Sequence, residues 1–405
     1  MLATRIHLPC KLSLCEHLIC RTMRIQSFLN VSNQDDIQSD SGFVFQKLIA
    51  SELISRGHDF CFVSPVPLGV EGALHEFHEF GNNKFQVRFN FAWDRIQAII
   101  EEYQPDVLLI NQAELSANFR SILCTIGSSA QLITYVHYLP VNKDQDGRFE
   151  VDSSLNNADL GLPILLSLLG SVKVSDKVLV QSKFAKKTLK ETLHLFRIPF
   201  ESNKIFIVPP PFDPFLVSSL ADNEIPRQCI MYNHRLYEHY GTDYFLKIIK
   251  SLKDKTEIQF LVADLLASRN GTRQKLDNHV DHYRSELKLQ PNVSFARNKN
   301  RNDYKKAIEQ CRAGLAAYRK MAVWSMSVVD CLGMGVPVIA PNFASYPEFI
   351  PQSLLYNSFE EFQNILDSLF NSDTFWEEVS AEGKDKIKPF SPAIIAGRLT
   401  EIMEL

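Results

Sequence analysis

From Met23 onward the chain alternates between short apolar runs and longer segments of helical periodicity. RIQSFL (24–29), FCFVSP (60–65), FQVRF (85–89), DVLLIN (106–111), LITYVHYL (132–139), KVLVQS (177–182) and KIFIVPP (204–210) read as strands. FVFQKLIASELISRG and WDRIQAIIEEYQ between them read as amphipathic helices. Strands separated by helices of about 10–15 residues predict a parallel sheet wrapped on both faces. The strand runs are nearly continuous in apolar residues, as expected of strands covered on both sides.

PPPFDPF (209–215) interrupts the pattern, because consecutive prolines continue neither a sheet nor a helix. Beyond it the alternation restarts with RQCIMYNH, GTDYFLKIIKSLKDK, IQFLVADL, NVSFAR, NDYKKAIEQC, GLAAYR and VPVIAP. The expectation is an α/β chain of two Rossmann-like, doubly wound domains facing a cleft, 23–208 and 216–388, hinged at 209–215. A last amphipathic helix, 389–405, would cross back to the first domain. A length of 405 residues agrees with two domains.

The first 22 residues are unlike the rest and hold three of the eight cysteines. Lys11, Glu16 and His17 break their apolar character, so they make neither a signal peptide nor a span, and a disordered or non-native leader is expected. No cysteine pair has Cys-x-x-Cys spacing, which points to reduced core thiols and a cytoplasmic protein rather than a disulfide framework or zinc site. A net charge of -4 provides no global attraction to nucleic acid or anionic membrane. LGLPILLSLLGSV (160–172) is too short to span a membrane; it reads as a core helix, with peripheral contact at the inner membrane face as the alternative.

In open parallel sheets ligands bind outside the carboxyl ends of the strands, so residues that follow strands are the candidates. Gly42, at the start of the first helix, would let a ligand approach helix amides; the plain alternative is an ordinary loop capped by Ser41. No Gly-x-Gly-x-x-Gly is present, which weighs against a dinucleotide-dependent dehydrogenase. His137 ends a strand and would hydrogen-bond a substrate hydroxyl or a developing charge, or else be structural. Arg235 follows the first strand of the second half, where a diphosphate matches its guanidinium fork. His234, Glu238 and His239 crowd the same loop, but their spacing fits no strong zinc pattern. Arg297 and Lys299 follow another strand, and Arg319 and Lys320 follow GLAAY; Lys299 reads as a solvated charge.

WSMSVVDCLGMGVPVIAP (324–341) carries the sharpest expectation. A helix beginning near Ser325 leaves the amides of Ser325, Met326 and Ser327 free as an anion site. Asp330, about one and a half turns deeper, would accept two hydrogen bonds from a ribose diol. The alternative is a buried acid paired with a neighbouring Arg.

Taken together these residues resemble the GT-B glycosyltransferases, in particular the retaining, nucleotide-sugar-dependent glycosyltransferase family 4-like proteins (glycosyl transferases group 1). DCLGMGVPVIA is similar to the second half of the family signature, with Asp330 in place of its ribose-binding glutamate. SGFVFQKLIASELISRGHDFCFVSP resembles the family's first βαβ unit, Arg235-Leu236 its Arg-Leu, His137 its sugar-contacting histidine, and PEFI around Glu348 its late Pro-Glu stretch. Two departures stand out. The first signature glutamate falls on Ala322 and the expected lysine on Tyr240, so that Arg319 or Lys320 would have to restore the positive charge.

The resemblance implies a retaining, metal-independent hexosyltransferase-like enzyme with a nucleotide-sugar co-substrate and no cofactor, its first domain, 23–208, holding the acceptor and its second, 216–388, the nucleotide sugar. The acceptor is a glycan, a lipid or a small molecule on this reading. His137, Arg235 and Lys320 would serve catalysis, and Gly42, Arg297, Ser325, Met326, Ser327 and Asp330 would hold the donor. Three other readings stay open: a catalytically inert nucleotide-sugar-binding protein, a glycosyltransferase acting on modified nucleic acid, and a sugar-nucleotide epimerase.

Overall fold

The computed structural model describes residues 22–30, 40–78, 88, 90–143, 148–151, 160–217, 229–252, 258–264, 279–296 and 300–405. The apolar runs of the first half pair as a seven-stranded parallel sheet. Its strands are β1 (Arg24–Phe28), β2 (Asp59–Ser64), β3 (Leu74–Phe77), β4 (Val107–Ile110), β5 (Gln131–Tyr135), β8 (Lys177–Val180) and β9 (Ile205–Ile207). Their spatial order is β3-β2-β1-β4-β5-β8-β9, so the chain reverses direction across the sheet between β1 and β4. Between β5 and β8 a small antiparallel hairpin pairs β6 (Val141–Lys143) with β7 (Phe149–Val151).

The helices of this half are α1 (Ser41–Ser55), α2 (Trp93–Tyr103), α3 (Ser116–Thr125), α4 (Gly161–Val174) and α5 (Lys183–Leu195). Each turns an apolar stripe to the sheet. On α4 that stripe is Ile164, Leu165, Leu168, Leu169 and Val172, while Leu162 and Leu166 face outward. The 160–172 run is therefore chiefly a core helix. The strand expected at 85–89 lies, Arg88 apart, outside the described residues, as do leader residues 1–21. β3 had not been expected: Leu74 and Phe77 are exposed at the sheet edge and His75-Glu76 breaks the apolar run, so nothing in its pattern marks a covered strand.

The second half forms a six-stranded parallel sheet from β10 (Cys229–Tyr232), β11 (Gln259–Val262), β12 (Val293–Phe295), β13 (Ala313–Leu315), β14 (Val338–Pro341) and β15 (Leu355–Tyr356). The order is β12-β11-β10-β13-β14-β15, with its reversal between β10 and β13. Around it pack α6 (Thr242–Ser251), α7 (His279–Lys288), α8 (Arg301–Glu309), α9 (Met326–Gly333), α10 (Phe359–Asn371) and α11 (Asp373–Ile387). The chain is thus α/β with two doubly wound sheets.

The last helix, α12 (Pro392–Glu404), leaves the second sheet and packs on α1. Ile395, Ala396, Leu399, Ile402 and Met403 join Ile49, Ala50 and Leu53 in one core. Lys177 donates from Nζ to the Ile402 carbonyl, and Arg56 donates to the Ala393 carbonyl at 2.8 Å. Two further contacts bind the halves together. Glu348 accepts from the Lys183 and Phe184 amides, both at 2.8 Å, at the amino end of α5. Met321 and Val323 bury themselves among Ala113, Val136 and Leu139 of the first half. Among the described residues no helix is long and apolar enough to cross a membrane. The five described cysteines are free, and Cys311 donates to Cys229 across 3.6 Å, a proximity their sequence spacing does not reveal.

Candidate active site

The reversal between β10 and β13 opens a crevice at the carboxyl edge of the second sheet, where such folds bind ligands. One lip is Asn233-His234-Arg235 after β10; the other is Tyr318-Arg319-Lys320 after β13. Arg235 is half-buried and no described residue pairs with it; Lys320 is exposed, also without a described partner. The guanidinium of Arg319 lies over the Tyr240 ring, 4.8 Å from its centroid. His234 is buried and accepts from the Ala317 amide at 3.1 Å. Burial, with the Arg319 charge adding to it, lowers its pKa to about 4, so it is neutral at ordinary pH and ties the two lips together.

The helix expected near Ser325 is α9, capped by Ser325, whose hydroxyl accepts from the Val328 amide at 3.4 Å. First-turn amides have no acceptor within their own helix, so those of Met326 and Ser327 remain donors. Ser325, Met326 and Ser327 are all half-buried. Ser327 donates to the Asn233 carbonyl at 2.7 Å, which fixes the helix start against the first lip.

Asp330 lies deeper in α9, beyond its capped start. It is 4 % exposed, accepts from the Tyr304 hydroxyl at 3.0 Å, and stands 3.6 Å from Arg301 Nη2. Arg301 in turn holds Asp213, in the 209–215 segment, at 3.0 Å. Asn233 donates to Tyr304 at 2.7 Å and to the Ser327 carbonyl at 2.9 Å. Of the two readings of Asp330, a buried acid beside an arginine describes these contacts, while its Oδ1 has no hydrogen-bond partner among the described residues. An aspartate is one methylene shorter than the family's glutamate, and here it is drawn inward by α8, where it ties the linker to the floor of the crevice. Burial, only partly offset by Arg301 and Tyr304, raises its pKa to about 6.

Gly42 stands in the first turn of α1. The N-cap of that helix is Asp40, which accepts from the Gly42 amide at 2.9 Å and the Phe43 amide at 3.1 Å. Ser41, the other cap considered, is the first helical residue. Arg297 and Lys299 lie outside the described residues. Ala322 is 1 % exposed at the junction of the two halves, and its carbonyl accepts from Ser345 Oγ at 2.6 Å. A glutamate there would have to surrender its hydration, so the absence of the first signature acid accords with the packing.

On the first sheet, His137 stands beyond β5 and is half-buried. Its Nε2 meets Asn111 Oδ1 at 2.5 Å, and its ring packs 4.2 Å from that of Tyr135. Asn30 donates to Gln112 at 3.2 Å, and Gln112 to Glu114 at 3.2 Å. Asn233, Tyr304 and Arg301 escape a motif search, as do these amides; the available signal was only their position after a strand or on the adjoining helix.

Comparison with known proteins places this geometry. Residues 221–354 match the family described as Glycosyl transferases group 1. A search of curated protein sequences returns no match. Solved structures are similar over nearly the whole chain. A glycosyltransferase from Rickettsia africae ESF-5 is 16% identical, covering 95% of this chain and 98% of its own, with a TM-score of 0.64. Anabaena Alr3699/HepE in complex with UDP-glucose is 13% identical, covering 94% and 99%, with a TM-score of 0.66. The sucrose-phosphate synthase of Thermosynechococcus elongatus is 14% identical, covering 94% and 98%, with a TM-score of 0.68.

Proposed function

We infer that this chain, a glycosyltransferase by its group 1 domain at 221–354 and its two-domain GT-B fold, moves a sugar from a nucleotide-sugar donor to an acceptor with retention of anomeric configuration. The observation that carries the reading is that Arg235 follows β10, Lys320 follows β13 and α9 starts against Asn233, all at the β10/β13 reversal. The UDP-glucose held by Alr3699/HepE, on a similar fold, is of the donor class this crevice suits.

The chemical difficulty is negative charge gathering on the departing diphosphate. Arg235 and Lys320 supply positive charge, and the start of α9 supplies oriented N–H groups, fixed before the reaction and so needing no reorganisation. The contact of Met321 and Val323 with the first half keeps water from the junction and favours transfer over hydrolysis. Asp330 is held inward and is no nucleophile, which favours departure and attack on the same face of the sugar.

Calorimetric titration with UDP, GDP and ADP tests the reading. One of the three should bind, and Arg235→Ala should cut turnover by about two orders of magnitude or more while the melting temperature holds. Wild-type turnover in Arg235→Ala would overturn it.

A further inference from the structure

The amino edge of the second sheet, opposite the crevice, brings two thiols into contact. Cys229 opens β10, and Cys311 stands just ahead of β13. The two segments are pinned side by side. The Arg312 amide donates to the Cys229 carbonyl at 2.8 Å, and Ile230 lies opposite Ala313 in the parallel ladder. Neighbouring strands run about 4.7–4.9 Å apart, so the backbones already lie within the reach of a disulfide. Cys311 Sγ is 3.6 Å from Cys229 Sγ and 3.3 Å from the Ala307 carbonyl oxygen, and its one proton serves both acceptors.

The two differ in access. Cys311 is fully buried, whereas Cys229 is only half-buried. The hydrogen bond from Cys311 holds the Cys229 thiol below the ordinary thiol range in spite of burial; the same bond, together with burial, holds Cys311 well above it. A more accessible sulfur of thiolate character beside a buried thiol is the arrangement in which oxidation ends as a disulfide. Elsewhere among the described cysteines, Cys331 is buried and accepts from Asn233, and Cys124 is exposed on α3.

We propose that Cys229 and Cys311 form a reversible oxidation site, which hydrogen peroxide converts into a disulfide fastening β10 to β13, the strands that carry the two lips of the crevice. The pairing of the thiols stands whatever ligand the crevice takes. The Cys229 sulfur attacks one peroxide oxygen; the S–O bond forms as the O–O bond breaks, and the departing hydroxide takes the Cys229 proton as water. The Cys311 sulfur then attacks the Cys229 sulfur of this sulfenic acid. The S–S bond forms as the S–O bond breaks, and the second hydroxide takes the Cys311 proton as water. Two thiols lose two electrons, and the peroxide gains them. The bond closes the segment from 229 to 311, which includes the Asn233-His234-Arg235 lip, Arg301 and Tyr304. Closing so long a loop restricts the unfolded chain, so the oxidised protein is the more stable. The bond sits at the strand ends remote from the lips and leaves the crevice as it was.

The test exposes the folded full-length chain to hydrogen peroxide, alkylates the remaining thiols and digests with trypsin. Residues 228–235 and 307–312 should emerge as one disulfide-linked species that dithiothreitol separates. In Cys311→Ser, Cys229 should be captured by dimedone as a sulfenic acid; in Cys229→Ser, Cys311 should stay reduced. Cys124→Ser should form the same link as the wild type. The oxidised wild type should melt about 5 °C higher than the reduced protein, and neither Cys229→Ser nor Cys311→Ser should show that rise. Alkylation of both thiols after peroxide, a bond from Cys229 to any other cysteine, or dimedone capture at Cys311 overturns the proposal. So does an oxidised protein that melts no higher than the reduced one, or the same rise in either of those two variants.

Discussion

Arg319 lays its guanidinium over the ring of Tyr240, 4.8 Å from the centroid, and so brings a positive charge to the place where the family resemblance leads one to expect a lysine. The two meet because the backbone at Gly241, with φ of +71°, runs so close to Tyr318 that no side chain fits between them. The lost lysine and the neighbouring arginine are thus one structural feature, formed from two loops on opposite lips of the crevice.

Arg319→Ala should weaken nucleoside diphosphate binding about tenfold or more, since a hydrogen bond to a charged group contributes about 1.5–3 kcal/mol. Tyr240→Lys added to Arg319→Ala should recover most of the loss. Calorimetric Kd values for the three proteins decide it; unchanged affinity in Arg319→Ala would leave the diphosphate to Arg235 and Lys320 alone.

Gly241→Ala should destabilise the protein. A Cβ at this residue would come 2.4 Å from the Tyr318 carbonyl oxygen, and the positive φ disfavours any L side chain. A loss of about 2 kcal/mol or more is expected on thermal or denaturant unfolding, with weaker nucleotide binding as Arg319 is displaced.

Asp330 should impose a pH slope on stability. The native carboxyl keeps its proton up to a pH of about 6, whereas in the unfolded chain it ionises near pH ~4. Between these values the native state binds more protons, so stability falls as pH rises through the window. Urea unfolding from pH 4 to 7 should show this decline in the wild type and a flatter profile in Asp330→Asn.

Glu348→Gln should loosen the junction between the halves. Its two oxygens take one α5 amide each, and replacing the charge at a helix amino end costs about 0.3–1 kcal/mol. Hydrogen exchange at Lys183 and Phe184 should quicken several-fold while exchange in the core strands is unchanged.

Much of this molecule was legible before any coordinates. The alternation from Met23, the break at 209–215 and the last amphipathic segment are local patterns, because backbone geometry and apolar periodicity act within a dozen residues. The two parallel sheets and the start of α9 at Ser325 follow from them. What a side chain touches is set by distant segments, and there the chain alone was insufficient. Asp330 and Arg301 are 29 residues apart and Glu348 lies 164 residues from Phe184, so no spacing rule connects them. That Asp40 rather than Ser41 would cap the first helix was not legible either, because both residue types cap helices. Residue types and their order along the strands marked which strand ends are candidates for a ligand; the packing of α8, α9 and the linker decided what each of those residues touches. That division is physical, because propensity is a short-range property, whereas burial of a charge depends on every element that closes over it.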